Sequence, residues 1–83
     1  GVQTCALPIW SNITFEINTT NGSKYNLQIS DIMGNPIKNF GFTAIDTFTL
    51  KSLNVSDLDN GDYDVILTDI AGKQSKTNIM IKK

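Results

Sequence analysis

Leu58-Asp-Asn-Gly-Asp-Tyr-Asp-Val-Ile-Leu-Thr-Asp-Ile-Ala-Gly-Lys-Gln-Ser-Lys-Thr-Asn-Ile-Met-Ile81 decides the fold. Within it Tyr63, Val65 and Leu67 alternate with Asp62, Asp64 and Thr68, the period-two pattern of a strand with one buried face, broken only by Ile66. Asp69-Ile-Ala-Gly-Lys73 supplies turn residues, with Gly72 free to take a positive φ, and Thr77, Ile79 and Ile81 then alternate with Asn78, Met80 and Lys82. The segment therefore reads as a β-hairpin. Just upstream, Leu58, Asp59, Gly61 and Tyr63 have the spacing of a tyrosine corner, in which a Tyr near the start of a sandwich strand returns its hydroxyl to upstream backbone. An ordinary turn followed by a strand Tyr fits the same residues. Val65 stands where an immunoglobulin domain places its second disulfide Cys.

Working outward, Ile13, Phe15 and Ile17 alternate with Asn12, Thr14, Glu16 and Asn18, giving a first strand. A turn centred on Asn21-Gly22 leads to Tyr25, Leu27 and Ile29, and the expected pairing is a hairpin between these two strands. Asp31 to Asn35 is the next turn, and Pro36 pre-sets φ for a strand from Ile37 to Phe42 in which Gly41 marks a bulge. Phe48, Leu50, Leu53 and Val55 are expected to point inward, with a bulge or sheet switch at Ser52. Tyr25-x-Leu27-x-Ile29-x-Asp31-Ile32-x-Gly34 also parallels Tyr63-x-Val65-x-Leu67-x-Asp69-Ile70-x-Gly72, one hairpin pattern used twice. No window shows helical periodicity with caps. The expected fold is all-β, an immunoglobulin-like antiparallel β-sandwich of six to seven strands.

Eighty-three residues make one small domain, and apolar residues at 40% with charged ones at 18% place it among globular chains. Its basic residues are all Lys, the net charge is −1, and no basic stripe for nucleic acid is visible. No apolar run approaches the ~18 residues of a membrane span. With no His and Cys5 as the single Cys, a His/Cys metal site, a Cys-His or Ser-His catalytic pair and an internal disulfide are all excluded.

The charged clusters carry little chemistry. Asp57, Asp59, Asp62 and Asp64 offer hard oxygen ligands, but their spacing fails the helix-loop-helix calcium pattern, which would need glycine where Asp62 stands and a carboxylate where Thr68 stands. Glu16 and the Asp residues imply no shared pocket for acid–base work. The Asn-x-Ser/Thr triplets at Asn12, Asn18, Asn21 and Asn54 accept glycans only in a suitable secretory context. Lys73, Lys76, Lys82 and Lys83 make the last hairpin basic, which serves either edge protection or recognition. The expectation is a non-enzyme with no cofactor and no metal.

Residues 1–9, Gly-Val-Gln-Thr-Cys-Ala-Leu-Pro-Ile, match the translation of a common short-read sequencing adapter in one frame. Cys5 and Pro8 are accordingly not read as functional, and the native part, residues 10–83, is expected to be the N-terminally truncated C-terminal end of a longer protein.

Tyr25-x-Leu-x-Ile-x-Asp-Ile-Met-Gly34, Leu53-Asn-Val-Ser-Asp-Leu-Asp-Asn-Gly-Asp-Tyr63, Val65-Ile-Leu-Thr-Asp69, Gly72-Lys73 and the terminal Ile-Met-Ile-Lys-Lys83 together resemble the type A C-terminal sorting domain of type IX (Por) secretion cargo in the Bacteroidota. The most specific run is Ser56, Leu58, Gly61 and Tyr63. The resemblance implies a sandwich of seven strands at the end of a larger cargo protein, read by the type IX translocon after Sec export and periplasmic transit. It implies removal by a sortase-type peptidase and a final location at the cell surface or outside the cell. Carried over residue by residue, the recognition positions are Gly61, Tyr63, Gly72, Lys76, Lys82 and Lys83. The family's opening Asn-Pro segment is absent, and Asp62 and Asp64 flank the Tyr where the family more often has apolar or mixed residues. Strand-edge pairing with a receptor is the expected mode of recognition. The alternative is an immunoglobulin-like or fibronectin-like adhesion or spacer module of a bacterial surface protein.

Overall fold

The computed structural model describes residues 2–4 and 12–82. Its strands are β1 (Val2–Thr4), β2 (Asn12–Asn18), β3 (Lys24–Asp31), β4 (Pro36–Thr43), β5 (Phe48–Asn54), β6 (Gly61–Asp69) and β7 (Gln74–Ile81). They form a three-stranded sheet in the order β1-β2-β5 and a four-stranded sheet in the order β4-β3-β6-β7, with every pairing antiparallel. The period-two pattern explains the packing. Ile13, Phe15 and Ile17 of β2 face Leu27 and Ile29 of β3, Val65 and Leu67 of β6, and Ile79 and Ile81 of β7, all buried in one core. Burying one face of each sheet is the only way so short a chain removes enough apolar surface from water. β1 lies within the adapter-like residues, and its pairing with Phe15–Ile17 uses backbone groups that any extended segment can supply.

The four-stranded sheet is built from the repeated hairpin. β3 and β6 are central and antiparallel, Tyr25 opposite Asp69 and Asp31 opposite Tyr63, so a local two-fold axis through the Gln28–Ile66 pair relates β3-β4 to β6-β7. The two turns share the same main-chain and Asp Oδ1 bonds, and the first adds Asn35 Nδ2 donating to Asp31 Oδ2 at 3.2 Å. In each, the Gly amide (Gly34, Gly72) donates to the carbonyl of the turn aspartate, and the aspartate amide donates to the carbonyl of Asn35 or Lys73. Asp31 Oδ1 accepts from the amides of Met33 and Asn35, and Asp69 Oδ1 from those of Ala71 and Lys73, each at 2.9 Å.

Three expectations are corrected. β2 and β3 are not a hairpin but lie in different sheets, because the turn between them bonds to the β4–β5 loop. Thr19 N–H donates to Thr47 O, Gly22 N–H to Ala44 O, and Ala44 N–H to Ser23 O. The Thr19 hydroxyl adds a 2.7 Å bond to Asp46 O. Secondly, β5 runs without a register shift against β2, so Leu53, opposite Ile13, fixes its parity: Phe48 and Leu50 face outward, 49% and 60% exposed. Val55 is buried beyond the strand's end, where the Leu58 amide closes a turn onto its carbonyl. Thirdly, the bulge in β4 is at Ile37, not Gly41: Ser30 pairs with Pro36 and Ile29 with Lys38, while Gly41 sits in regular register opposite Asn26.

The corrected parity of β5 has a direct test. Leu53→Ala is expected to lower unfolding free energy by about 2–5 kcal/mol, whereas Leu50→Ala stays within about 0.5 kcal/mol. Equal losses in urea denaturation would contradict the outward placement of Leu50.

Candidate recognition surface

The positions singled out in the sequence fall at three places on the last hairpin. Gly61 and Tyr63 open β6 at the corner, and because Gly61 pairs with Ile81, Lys82 emerges beside them. Gly72 lies in the turn at the far end of β6, roughly 25 Å away by strand rise. Lys76 sits between, opposite Ile66 on the outer face of the sheet. Lys83 is outside the described residues, as are Cys5 and Pro8.

The corner is formed as its spacing predicts. Tyr63 is buried among core residues, and its hydroxyl donates a 2.7 Å hydrogen bond to the carbonyl of Asp59. The ring thus ties the loop after β5 to the start of β6 while the buried Val55 and Leu58 pack under it. Gly61, with φ of +151°, makes the bend that points Tyr63 inward; an L side chain there meets no neighbour but is opposed by the backbone conformation itself.

Around Lys76 the outer face is polar. Its amine lies 3.4 Å from Asp64 Oδ2, and the Asn78 side-chain Nδ2 donates to Tyr63 O at 3.1 Å and Asp64 Oδ1 at 3.4 Å. These partners of Lys76 were not anticipated; the signal available was that Asp64, Lys76 and Asn78 all fall on one face once the hairpin is paired. Asp57 is held instead by Lys38 at 3.0 Å. Among the described residues no three of His, Cys, Asp or Glu converge as a metal-ligand set. Glu16 lies opposite Leu50 on the outer face of the other sheet, apart from the aspartates of the turns and the corner. The hairpin thus presents polar side chains and lysine amines outward while the Tyr63 ring is tethered inside.

An antiparallel sandwich of three strands on four, with a tyrosine corner starting its sixth strand, defines the immunoglobulin-like class of small β domains. Within that class the chain belongs to the secretion system C-terminal sorting domain family of type IX secretion, whose profile matches residues 8–82. No curated protein matches the chain.

Two measurements follow from this geometry. Tyr63→Phe keeps the ring but leaves the Asp59 carbonyl without its donor, at an expected cost of about 1–2 kcal/mol in unfolding free energy; no loss would mean the corner bond carries nothing. The amide of Asn35, with further help from its side chain and the Met33 and Gly34 amides, holds the Asp31 carboxyl below its ordinary 3.8 despite some opposing desolvation. The contribution of that turn is complete above the unfolded-state value and is lost as pH falls through the lowered one. An NMR titration should find Asp31 titrating below 3.8; a value at or above it would contradict the turn geometry.

Proposed function

We propose that this domain is a non-catalytic export address, carried by a larger cargo protein and read by the type IX translocon, which delivers the cargo to the cell surface or the medium. The observation that carries the reading is the family match across residues 8–82, which spans the tyrosine corner and all of the last hairpin. The physical features support it. Folding buries the apolar interior and leaves the corner, a polar outer face and the basic ribbon Lys73, Lys76 and Lys82 available to a protein partner. A sortase-type peptidase then removes the domain. Residues 1–9 are, on this proposal, adapter-derived rather than native.

The test is a fluorescent reporter bearing a Sec signal peptide and residues 10–83, preceded by the native upstream residues, in a host with the type IX apparatus. The reporter is expected at the surface or in the medium, and a translocon-deficient strain should retain it in the periplasm. Periplasmic retention in the intact host, or export that survives deletion of the domain, would reverse the reading in favour of an adhesion or spacer module. Codons for residues 1–9 in re-amplified genomic DNA would overturn the adapter proposal.

A further inference from the structure

The local two-fold axis makes β4 and β7 equivalent as the two outermost strands of their sheet, and yet they are finished differently. Each carries a lysine at the same offset from its turn aspartate, Lys38 after Asp31 and Lys76 after Asp69. On β7 the pairing with β6 runs without a shift from Thr68–Gln74 to Gly61–Ile81, so Lys76 stays on the outer face, its side chain 63% exposed. On β4 the extra residue Ile37 moves every later side chain to the opposite face. Lys38 consequently lies opposite buried Ile29, its side chain only 22% exposed and its amine on Asp57.

A bulge and an inward-pointing charge are both devices that close an edge to a further strand. β4 has both. β5, an edge of the other sheet, has one: Lys51 lies opposite buried Phe15, its amine 5.5 Å from the ring centroid of Phe42 on β4. β7 has neither, since its inward residues are Ser75, Thr77, Ile79 and Ile81. β1 lies against β7, but it pairs with Phe15–Ile17 and so reaches the half of the sandwich that holds the β6–β7 turn. Among the described residues, no strand other than β6 pairs with β7, so none pairs with the outward backbone of Lys76, Asn78 or Met80.

The ladder sets the direction of that backbone. The Asp69 amide bonds to Lys73 O, and the alternation of an antiparallel ladder then directs the groups of Ser75, Thr77, Ile79 and Ile81 to β6. It turns the N–H and C=O of Lys76, Asn78 and Met80 away from the sheet. Charge identifies what would pair with them. From Lys73 to Lys83 the chain carries Lys73, Lys76, Lys82 and Lys83 and no acidic residue, Asp64 across the sheet being the 3.4 Å partner of Lys76, and Met80 adds an apolar side chain 59% exposed.

We propose that the secretion machinery reads this domain by adding an extended, carboxylate-bearing strand of its own to the β7 edge from Lys76 to Met80. The inference rests on the export reading and specifies its contact. Backbone pairing supplies the register, a carboxylate of the added strand faces Lys76, and an apolar side chain covers Met80.

The experiment compares symmetry-equivalent prolines in the exported reporter. Lys76→Pro and Met80→Pro remove outward-directed amides of β7 and spare the ladder to β6; Asn39→Pro and Thr43→Pro are their counterparts on β4. With folding verified by thermal melting of each purified domain, export is expected to fall about tenfold or more for the β7 variants and less than about twofold for the β4 variants. Where a proline unfolds the domain, Lys76→Glu combined with Met80→Thr keeps a competent strand and carries the same tenfold expectation. Undiminished export of folded β7 variants, or equal losses on both edges, would overturn the β7 assignment while leaving the export reading intact. An unexported parent reporter would instead remove the export reading, and this inference with it.

Discussion

Strand parity is the constraint on which this domain depends. Each sheet buries one face and wets the other, so a slip of a single residue exchanges a strand's whole complement of side chains between core and water. Leu53 and Ile13 lock β5 to β2 in one parity and force Phe48 and Leu50 outward, although both are apolar. Ile37 changes the parity of β4, and the same residue type at the same offset becomes a seam lysine in one hairpin and a surface lysine in its twin. The two turn carboxylates fix the amides after each turn alike, so the difference in parity arises beyond them, at Ile37.

Features settled by neighbours in the chain were legible in the sequence. The alternation through Phe15, Leu27 and Val65 placed the core, and the offset of Tyr63 from Asp59 disclosed the corner, because both are local patterns. What escaped was settled by distant partners. Asn21-Gly22 has the same turn chemistry in a hairpin and in a crossing between sheets, and its fate here is decided by bonds to Thr47 and Ala44, far along the chain. Gly41 looked like the bulge because glycine relaxes a strand, but the register shift falls where β4 leaves its turn. Of the proposed recognition positions, Gly61 and Tyr63 declared their geometry, whereas the contrast between Lys76 and Lys38 exists only after pairing.

No internal disulfide can form in a chain with one Cys, so the fold rests on packing and satisfied polar groups. The buried Thr19 and Ser30 illustrate how closely this is met: Thr19 bonds to Asp46 and Thr49, and Ser30 accepts from Gln28 at 2.9 Å. A recognition element built on such a frame has a different character from a linear peptide signal. It exists only while the sandwich is folded, since β7 is held extended by β6 and β6 is positioned by the Tyr63 corner.

An open edge is a hazard in a small β domain, because unpaired backbone recruits other chains. This domain blunts β4 with a bulge and Lys38, and β5 with Lys51. On β7 the outer face is polar through Lys76 and Asn78, which discourages self-pairing because two copies would set lysine near lysine, yet among the described residues no further strand pairs with its backbone. Such an edge disfavours its own kind and admits a strand of opposite charge. Selectivity of that sort needs no pocket, and it fits the proposed recognition positions, which are spread along one hairpin instead of gathered at a single point.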